Sequence, residues 1–269
     1  MAKDLMSDEW PVPELEFHDP SNVQAVATSL RDHDVAFVEL HSTYHEAQLH
    51  ALADGLGCKT PFISSFNKNH HSGTYSGNLN YIGDPTRNTK HTVFSSTNEQ
   101  GLHSDGTYEP AGAVQTTFLF CVTAAKSGGA NTLLHTTRIF KRLQVEEPEL
   151  AQALMHKDAL RRYNFGCMNG IEQEFTGPAF EVVNGDVISR FTLDVTADWE
   201  AGYKKIPHLK EAVQVFRDVV KTKGSLYQET MLGDNQGIVM RNHKIAHGRT
   251  AFENHPGRER IMIRGLYAD

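Results

Sequence analysis

Residues 101–108, Gly-Leu-His-Ser-Asp-Gly-Thr-Tyr, set His103 and Asp105 two positions apart. In an extended strand, residues two apart face the same way, so an imidazole and a carboxylate converge on one point. His247 is the candidate third ligand. It sits in Asn242-His243-Lys244-Ile245-Ala246-His247-Gly248-Arg249, where Gly248 leaves room beside an ion. Two His and one carboxylate on one face of iron(II) leave its other positions open for a cosubstrate and O₂. His-x-Asp alone is a weak signal, because a chain of 269 residues with 15 His produces it by chance.

Residues 260–264, Arg-Ile-Met-Ile-Arg, add weight to it. In a strand, Arg260, Met262 and Arg264 share one face and Ile261 and Ile263 the other. A guanidinium binds a carboxylate through two parallel hydrogen bonds and stays charged when partly buried. A dicarboxylate such as 2-oxoglutarate, chelating iron through its keto-acid end, would set its far carboxylate on such an arginine. Arg260 follows His247 by 13 residues, enough for a turn and a strand returning past the metal. Taken alone, the stretch reads equally as an edge strand with surface salt bridges. Arg264, on the metal side, is a candidate for an anionic group of the substrate. Asn98 and Gln100, with Asn80 and Tyr81 further upstream, are candidate hydrogen-bonding residues, and Tyr108 and Phe165 candidate lining.

Several elements must position these residues. Ser21 or Asn22 can cap a helix through His33, and Val35–Leu40 reads as a buried strand. Ser42 or Thr43 can cap a second helix with Leu49, Leu52 and Leu56 on one side. Residues 64–100 are rich in Asn, Ser, Thr, Gly and His and read as a long loop, expected to be an active-site lid. Gln115–Ala125 is a β-branched and aromatic core strand, and Asn131–His135 its return after the Ser127-Gly128-Gly129 turn. Thr136–Leu143, Pro148–Lys157 and Lys210–Lys221 read as helices. Strands are expected at 160–165, 180–183, 187–193, 226–232, 237–241, 244–249 and 259–267. Many short strands with few helices predict a mainly β fold with decorating helices, a double-sheet jelly roll in one domain over 1–269.

The bulk composition narrows the function. A net charge of −7 argues against phosphate-backbone binding, so no nucleic-acid partner is expected. Cys58, Cys121 and Cys167 show no CxxC spacing, which argues against a disulfide framework or a zinc ribbon. No apolar run reaches the roughly 18–20 residues of a spanning helix, and no signal-peptide pattern opens the sequence, so the expectation is a cytoplasmic protein with no membrane partner.

With these motifs in order, the sequence resembles the taurine dioxygenase (TauD/TfdA) family of iron(II)/2-oxoglutarate oxygenases, a group that includes γ-butyrobetaine hydroxylase and carbapenem synthase. The resemblance rests on His103-Ser104-Asp105, on Gly128-Gly129-Ala130-Asn131-Thr132, on His247-Gly248-Arg249 and on Arg260-Ile261-Met262-Ile263-Arg264. It implies a double-stranded β-helix, a distorted jelly roll, with His103, Asp105 and His247 as iron ligands. It implies that Thr132 and Arg260 hold the far carboxylate of 2-oxoglutarate, and that Arg264 touches an acidic group on substrate or cosubstrate. Where the family often has Asp-Asn before the distal His, this chain has Arg241-Asn242; Arg258 is a rival to Arg260, and Leu102 stands where an aromatic residue is often found. The chemistry implied is decarboxylation of 2-oxoglutarate to succinate and CO₂, coupled to oxidation of a substrate C–H. A carboxylate at 105 implies hydroxylation over halogenation. Desaturation, cyclisation or epimerisation remain open as outcomes. The expected substrate is a small polar or acidic molecule, an amino acid or natural-product intermediate, and a homo-oligomer is possible. Two rivals stand beside this reading. A zinc hydrolase could use the same three ligands, although no HExxH helix is present, and a jelly-roll binding module could keep the shape without the chemistry.

Overall fold

The computed structural model describes residues 17–40, 45–64, 72–87, 96–106, 108–163 and 174–269. In chain order, the first half holds β1 (Phe17–His18), α1 (Val23–His33), β2 (Val35–Glu39), α2 (His45–Gly55), β3 (Tyr75–Ser76), β4 (Leu79–Ile82), β5 (Gln100–His103), β6 (Thr116–Thr123), β7 (Ser127–Gly128) and β8 (Asn131–Leu134). Then come α3 (Thr136–Glu146), α4 (Pro148–Leu154), β9 (Leu160–Tyr163), β10 (Glu174–Gly177), β11 (Phe180–Val183), β12 (Asp186–Ser189) and β13 (Ala197–Asp198). The last part holds α5 (Glu200–Tyr203), α6 (Leu209–Lys221), β14 (Tyr227–Thr230), β15 (Gln236–Arg241), β16 (Ala246–Arg249), β17 (Phe252–Glu253) and β18 (Ile261–Tyr267).

Two sheets carry the fold. The larger has the order β1-β2-β15-β6-β18-β4-β3 and the smaller β14-β8-β16-β5. All pairings in both are antiparallel except β1 with β2. Side-chain alternation sorts the strand residues between three cores. Phe37, Leu119, Ile238, Met240 and Met262 of the large sheet meet Leu133 of the small one between the sheets. Ala36, Val38, Phe118, Phe120, Val239 and Ile263 point outward, onto Val26 and Leu30 of α1 and Leu49 and Leu52 of α2. Outside the small sheet, Leu102, Leu134 and Ala246 pack on Ile139, Phe140, Val213 and Phe216. There Phe191 stacks on Phe216 at 4.1 Å between ring centroids and Phe140 on Phe180 at 4.4 Å. Each such side chain contributes roughly 1.5–3 kcal/mol on burial, so the small sheet is backed firmly on its outer face.

The helix ends follow their local chemistry. Asn22 Oδ1 accepts the Ala25 N–H at 3.2 Å to start α1, and Asp34 ends it with φ 62°. The expected caps Ser42 and Thr43 lie outside the described residues, as do Phe165, Cys167 and parts of the expected lid, 65–71 and 88–95. Within 64–100 the structure differs from a single long loop: Tyr75-Ser76 and Leu79–Ile82 pair as a hairpin on the edge of the large sheet. Gly77-Asn78 between them is a two-residue turn, and Gly77 takes φ 59°. Two short strands with only Leu79 and Tyr81 on the packed face leave too few repeats for periodicity to show.

Candidate active site

The His-x-Asp motif straddles the end of β5. His103 stands directly opposite His247 of β16, and their ring centroids are 4.5 Å apart. Asp105 lies two residues beyond, with Oδ2 3.5 Å from His247 Nε2. One ligand atom from each of His103, Asp105 and His247 falls within 4.8 Å of the others, a spacing that suits a single ion. His103 Nδ1 is 3.0 Å from the Gly101 carbonyl, to which it donates, leaving Nε2 for a metal. The Gln100 amide sits 3.3 Å from that Nε2.

Buried charges fix the protonation states. Burial alone would push the Asp105 carboxyl up, but the Arg264 guanidinium, His247, His103 and a hydrogen bond from Thr117 outweigh it and hold it at about 2. Arg264 Nη1 donates to Asp105 Oδ1 at 2.8 Å, and the Thr117 hydroxyl to Oδ2 at 3.0 Å. Burial, with His103 beside it, pushes His247 down to about 3. An anionic carboxylate and a neutral imidazole are the forms that ligate a metal.

The backbone of the motif is held from two sides. Asn242 Oδ1 accepts the Asp105 N–H at 2.8 Å, while its Nδ2 donates to the Asp105 carbonyl at 3.1 Å and to Val114 at 3.0 Å. Arg162, 0% exposed, donates to the Ser104 carbonyl at 2.8 Å. Neither residue stood out in the sequence as part of the site. Asn242 carried a signal, as half of the Arg241-Asn242 departure, and Arg162 carried none.

His103 and His247 open onto a cleft of about 510 Å³, including the part open to solvent; its lining includes Gln100, Asn131, Arg249, Arg260, Met262 and Arg264. The expected face of the last strand is observed, with Arg260, Met262 and Arg264 on the cleft and Ile263 on the opposite core. The Arg260 guanidinium reaches no carboxylate among the described residues, and burial lowers its pKa. Arg249 is pushed down to about 10 by burial and by Arg260, and donates to the carbonyls of Ser96 at 2.9 Å and Asn98 at 2.6 Å. Both guanidiniums lie over the Phe252 ring, at 4.7 Å and 5.2 Å. Arg258 instead pairs with Asp234 and is 55% exposed in its side chain, away from the cleft.

Three sequence-predicted residues have side chains away from the cleft lining. Thr132 pairs with Gly248, and Asn131 with Arg249. The strand period of two therefore puts Asn131 on the cleft face with His247, and Thr132 on the outer face, where its Oγ1 is 2.8 Å from the Cβ that Gly248 lacks. Asn131 Nδ2 is buried without a partner among the described residues. Asn98 is exposed and meets the site through its carbonyl, on Arg249, and its side chain is absent from the cleft lining, as is that of Tyr108.

A jelly-roll pair of sheets with two His and one Asp converging on an arginine-lined cleft defines a non-haem iron oxygenase architecture. Residues 3–267 match the family model described as "Taurine catabolism dioxygenase TauD, TfdA family", and the chain belongs to this family of iron(II)/2-oxoglutarate-dependent dioxygenases. It is 30% identical over 262 residues to a uridine-5'-phosphate dioxygenase of Amycolatopsis sp, covering 96% of this chain and 93% of the relative. It is 29% identical over 235 residues to one of Streptomyces sp, covering 86% and 83%. Among solved structures it resembles an asparagine oxygenase in complex with Fe(II), 2S,3S-3-hydroxyasparagine and succinate, with TM-score 0.66 and 12% identity over 92% of this chain and 79% of that one. It also resembles the non-haem iron oxygenase OrfP, with TM-score 0.63 and 15% identity over 91% and 80%. These two likenesses concern the fold alone. No helix among the described residues is long and apolar enough to cross a membrane.

Proposed function

We propose that the enzyme hydroxylates a C–H bond of a small anionic substrate, and that this substrate is a nucleoside 5'-phosphate of the uridine type. The observation that carries the reading is the charge of the cleft. Arg249, Arg260 and Arg264 line it, and the ligand set supplies one carboxylate, Asp105. With iron(II), these groups sum to about four positive charges, of which 2-oxoglutarate neutralises two. A phosphate monoester near neutral pH supplies the remaining negative charge. The uridine-5'-phosphate dioxygenase activity of the two relatives matched over most of the chain supports the same class of ligand.

His103, Asp105 and His247 hold the iron in this reading, with Nε2 of His103 turned to it by the bond at Nδ1. The chemistry an iron(II) ion supplies when bound is activation of O₂, driven by loss of CO₂ from 2-oxoglutarate. The protein's own residues bind and orient. Arg260, with Asn131 beside it, takes the far carboxylate of 2-oxoglutarate. Arg264, already in the cleft on Asp105, takes the anion of the substrate. Leu119, Met262 and Ile82 keep the floor of the cleft apolar and exclude water from the reacting centre.

The test begins without oxygen. Iron(II) and 2-oxoglutarate together should give a weak visible band that neither gives alone, which the zinc hydrolase and binding-module readings do not predict. On admitting air with uridine 5'-phosphate, succinate should form in step with loss of the nucleotide. Succinate formation with a panel of amino acids and other small acids, and none above background with the nucleotide, would overturn the nucleotide reading.

A further inference from the structure

One row of inward-facing side chains crosses the whole large sheet. Register places Phe17, Phe37, Ile238, Leu119, Arg264, Asn80 and Tyr75 in sequence, one from each strand. Four are apolar and belong to the core between the sheets. The row turns polar at Arg264, beside the metal site, and stays polar to the edge.

Asn80 is the anomaly in that row. It is 1% exposed, and both Oδ1 and Nδ2 are buried with no hydrogen-bond partner among the described residues. Its neighbours on either side have partners, since Arg264 bonds to Asp105 and to Tyr75. A buried amide with both ends unmet destabilises the fold, because each group has left water without regaining a hydrogen bond. Leucine, close in size, would fit an apolar interior without that penalty. The amide therefore reads as kept for a partner that comes and goes.

We propose that Asn80 is a specificity-determining residue of the substrate site, which pairs with a neutral group of the ligand that presents a hydrogen-bond donor and acceptor side by side. The inference rests on the nucleotide reading and deepens it. Arg264 takes the phosphate, and in doing so leaves Asp105 and opens the amide of its cross-strand neighbour to the uncharged part of the same molecule. In a uridine nucleotide two groups have this chemistry: the N3–H and carbonyl edge of the base, and the hydroxyls of the ribose.

The experiment compares wild type with Asn80→Leu. Calorimetry under nitrogen, on protein loaded with iron(II) and 2-oxoglutarate, measures the affinity of uridine 5'-phosphate, its N3-methyl analogue and its 2'-deoxy analogue. Thermal melting of the metal-free proteins is measured alongside. We expect the variant to keep the visible band, to melt at the same temperature or higher, and to bind uridine 5'-phosphate about tenfold more weakly, the loss of one or two hydrogen bonds. Wild type should lose a similar factor to one analogue, and the variant should lose nothing further to that same analogue. Loss to the N3-methyl compound identifies the base edge, and loss to the 2'-deoxy compound the ribose. A variant that melts lower and binds the nucleotide as tightly as wild type would make Asn80 structural and overturn the inference alone. Wild type that forms the band and does not bind uridine 5'-phosphate would overturn the nucleotide reading, and this inference with it.

Discussion

Asn242 closes a reciprocal pair of hydrogen bonds on the backbone of Asp105, its Oδ1 accepting the N–H at 2.8 Å and its Nδ2 donating to the carbonyl at 3.1 Å. The two residues are 137 positions apart in sequence. The pair ties the turn after β5 to the start of the segment that carries His247, so two ligands on different strands move as one body. Asn242→Ala leaves the buried Asp105 N–H unmet. We expect iron(II) affinity to fall roughly 10–100-fold, as for other residues that orient metal ligands. Titration followed by the visible band measures it, and an unchanged affinity would refute the role.

Asp105→Ala should abolish substrate oxidation, because it removes the one carboxylate of the ligand set. The measurement is succinate and product formation at saturating iron(II) and 2-oxoglutarate. Full turnover without an added ligand would sink the assignment.

Arg260 and Arg258 make a paired comparison. Arg260 is in the cleft with no carboxylate partner among the described residues, and Arg258 is spent on Asp234 at the surface. Arg260→Ala should raise the KM for 2-oxoglutarate by on the order of tenfold or more, the worth of a charge-assisted contact to a carboxylate. Arg258→Ala should leave it unchanged. Equal effects from the two would contradict the placement of the far carboxylate.

Gly248 lies on β16, between β8 and β5. A Cβ there would sit 2.5 Å from the Gln100 carbonyl oxygen and 2.8 Å from Thr132 Oγ1. A backbone oxygen cannot swing away, so Gly248→Ala has to part β16 from β5 and with it His247 from His103. We expect a destabilisation of about 1–3 kcal/mol in chemical denaturation, and weakened iron binding.

His243 gives the metal-free protein a pH dependence. Burial holds it at about 4, below its ordinary 6.5, with a bond from Nδ1 to the Gln115 carbonyl at 3.1 Å opposing the shift. The unfolded chain takes up a proton near 6.5 that the folded chain refuses until about 4. Stability from this group is therefore fully present above pH 6.5 and is lost as pH falls toward 4, by an amount on the order of 3 kcal/mol. His243→Gln should flatten the fall in melting temperature between pH 6.5 and 4. A slope unchanged in the variant would assign it to other groups.

The sequence reached much of this site because its signals are local. His103 and Asp105 share a strand end, and Arg260, Met262 and Arg264 share a strand face; a period of two is readable without knowing what lies opposite. Strand existence was legible for the same reason, in the dense apolar runs around Val35–Glu39 and Thr116–Thr123. The β3–β4 hairpin was not, because its apolar face holds two residues and its other face holds Asn80. Which of Asn131 and Thr132 faces the cleft was not legible either. Adjacent residues on one strand differ only in face, and the face is set by pairing with Arg249 and Gly248 on β16.

The sequence by itself determined the ligand types, their order, the arginine strand and the family to which the chain belongs. Only the tertiary structure decided which groups act together. It put His103 against His247, Asn242 on the backbone of Asp105, Arg162 under Ser104, and beside Arg264 the buried amide of Asn80, unmet among the described residues. Each of these depends on strand register and on burial. Those are properties of the packed chain as a whole, since a hydrogen bond made or left unmade in the interior is decided by elements far apart in sequence.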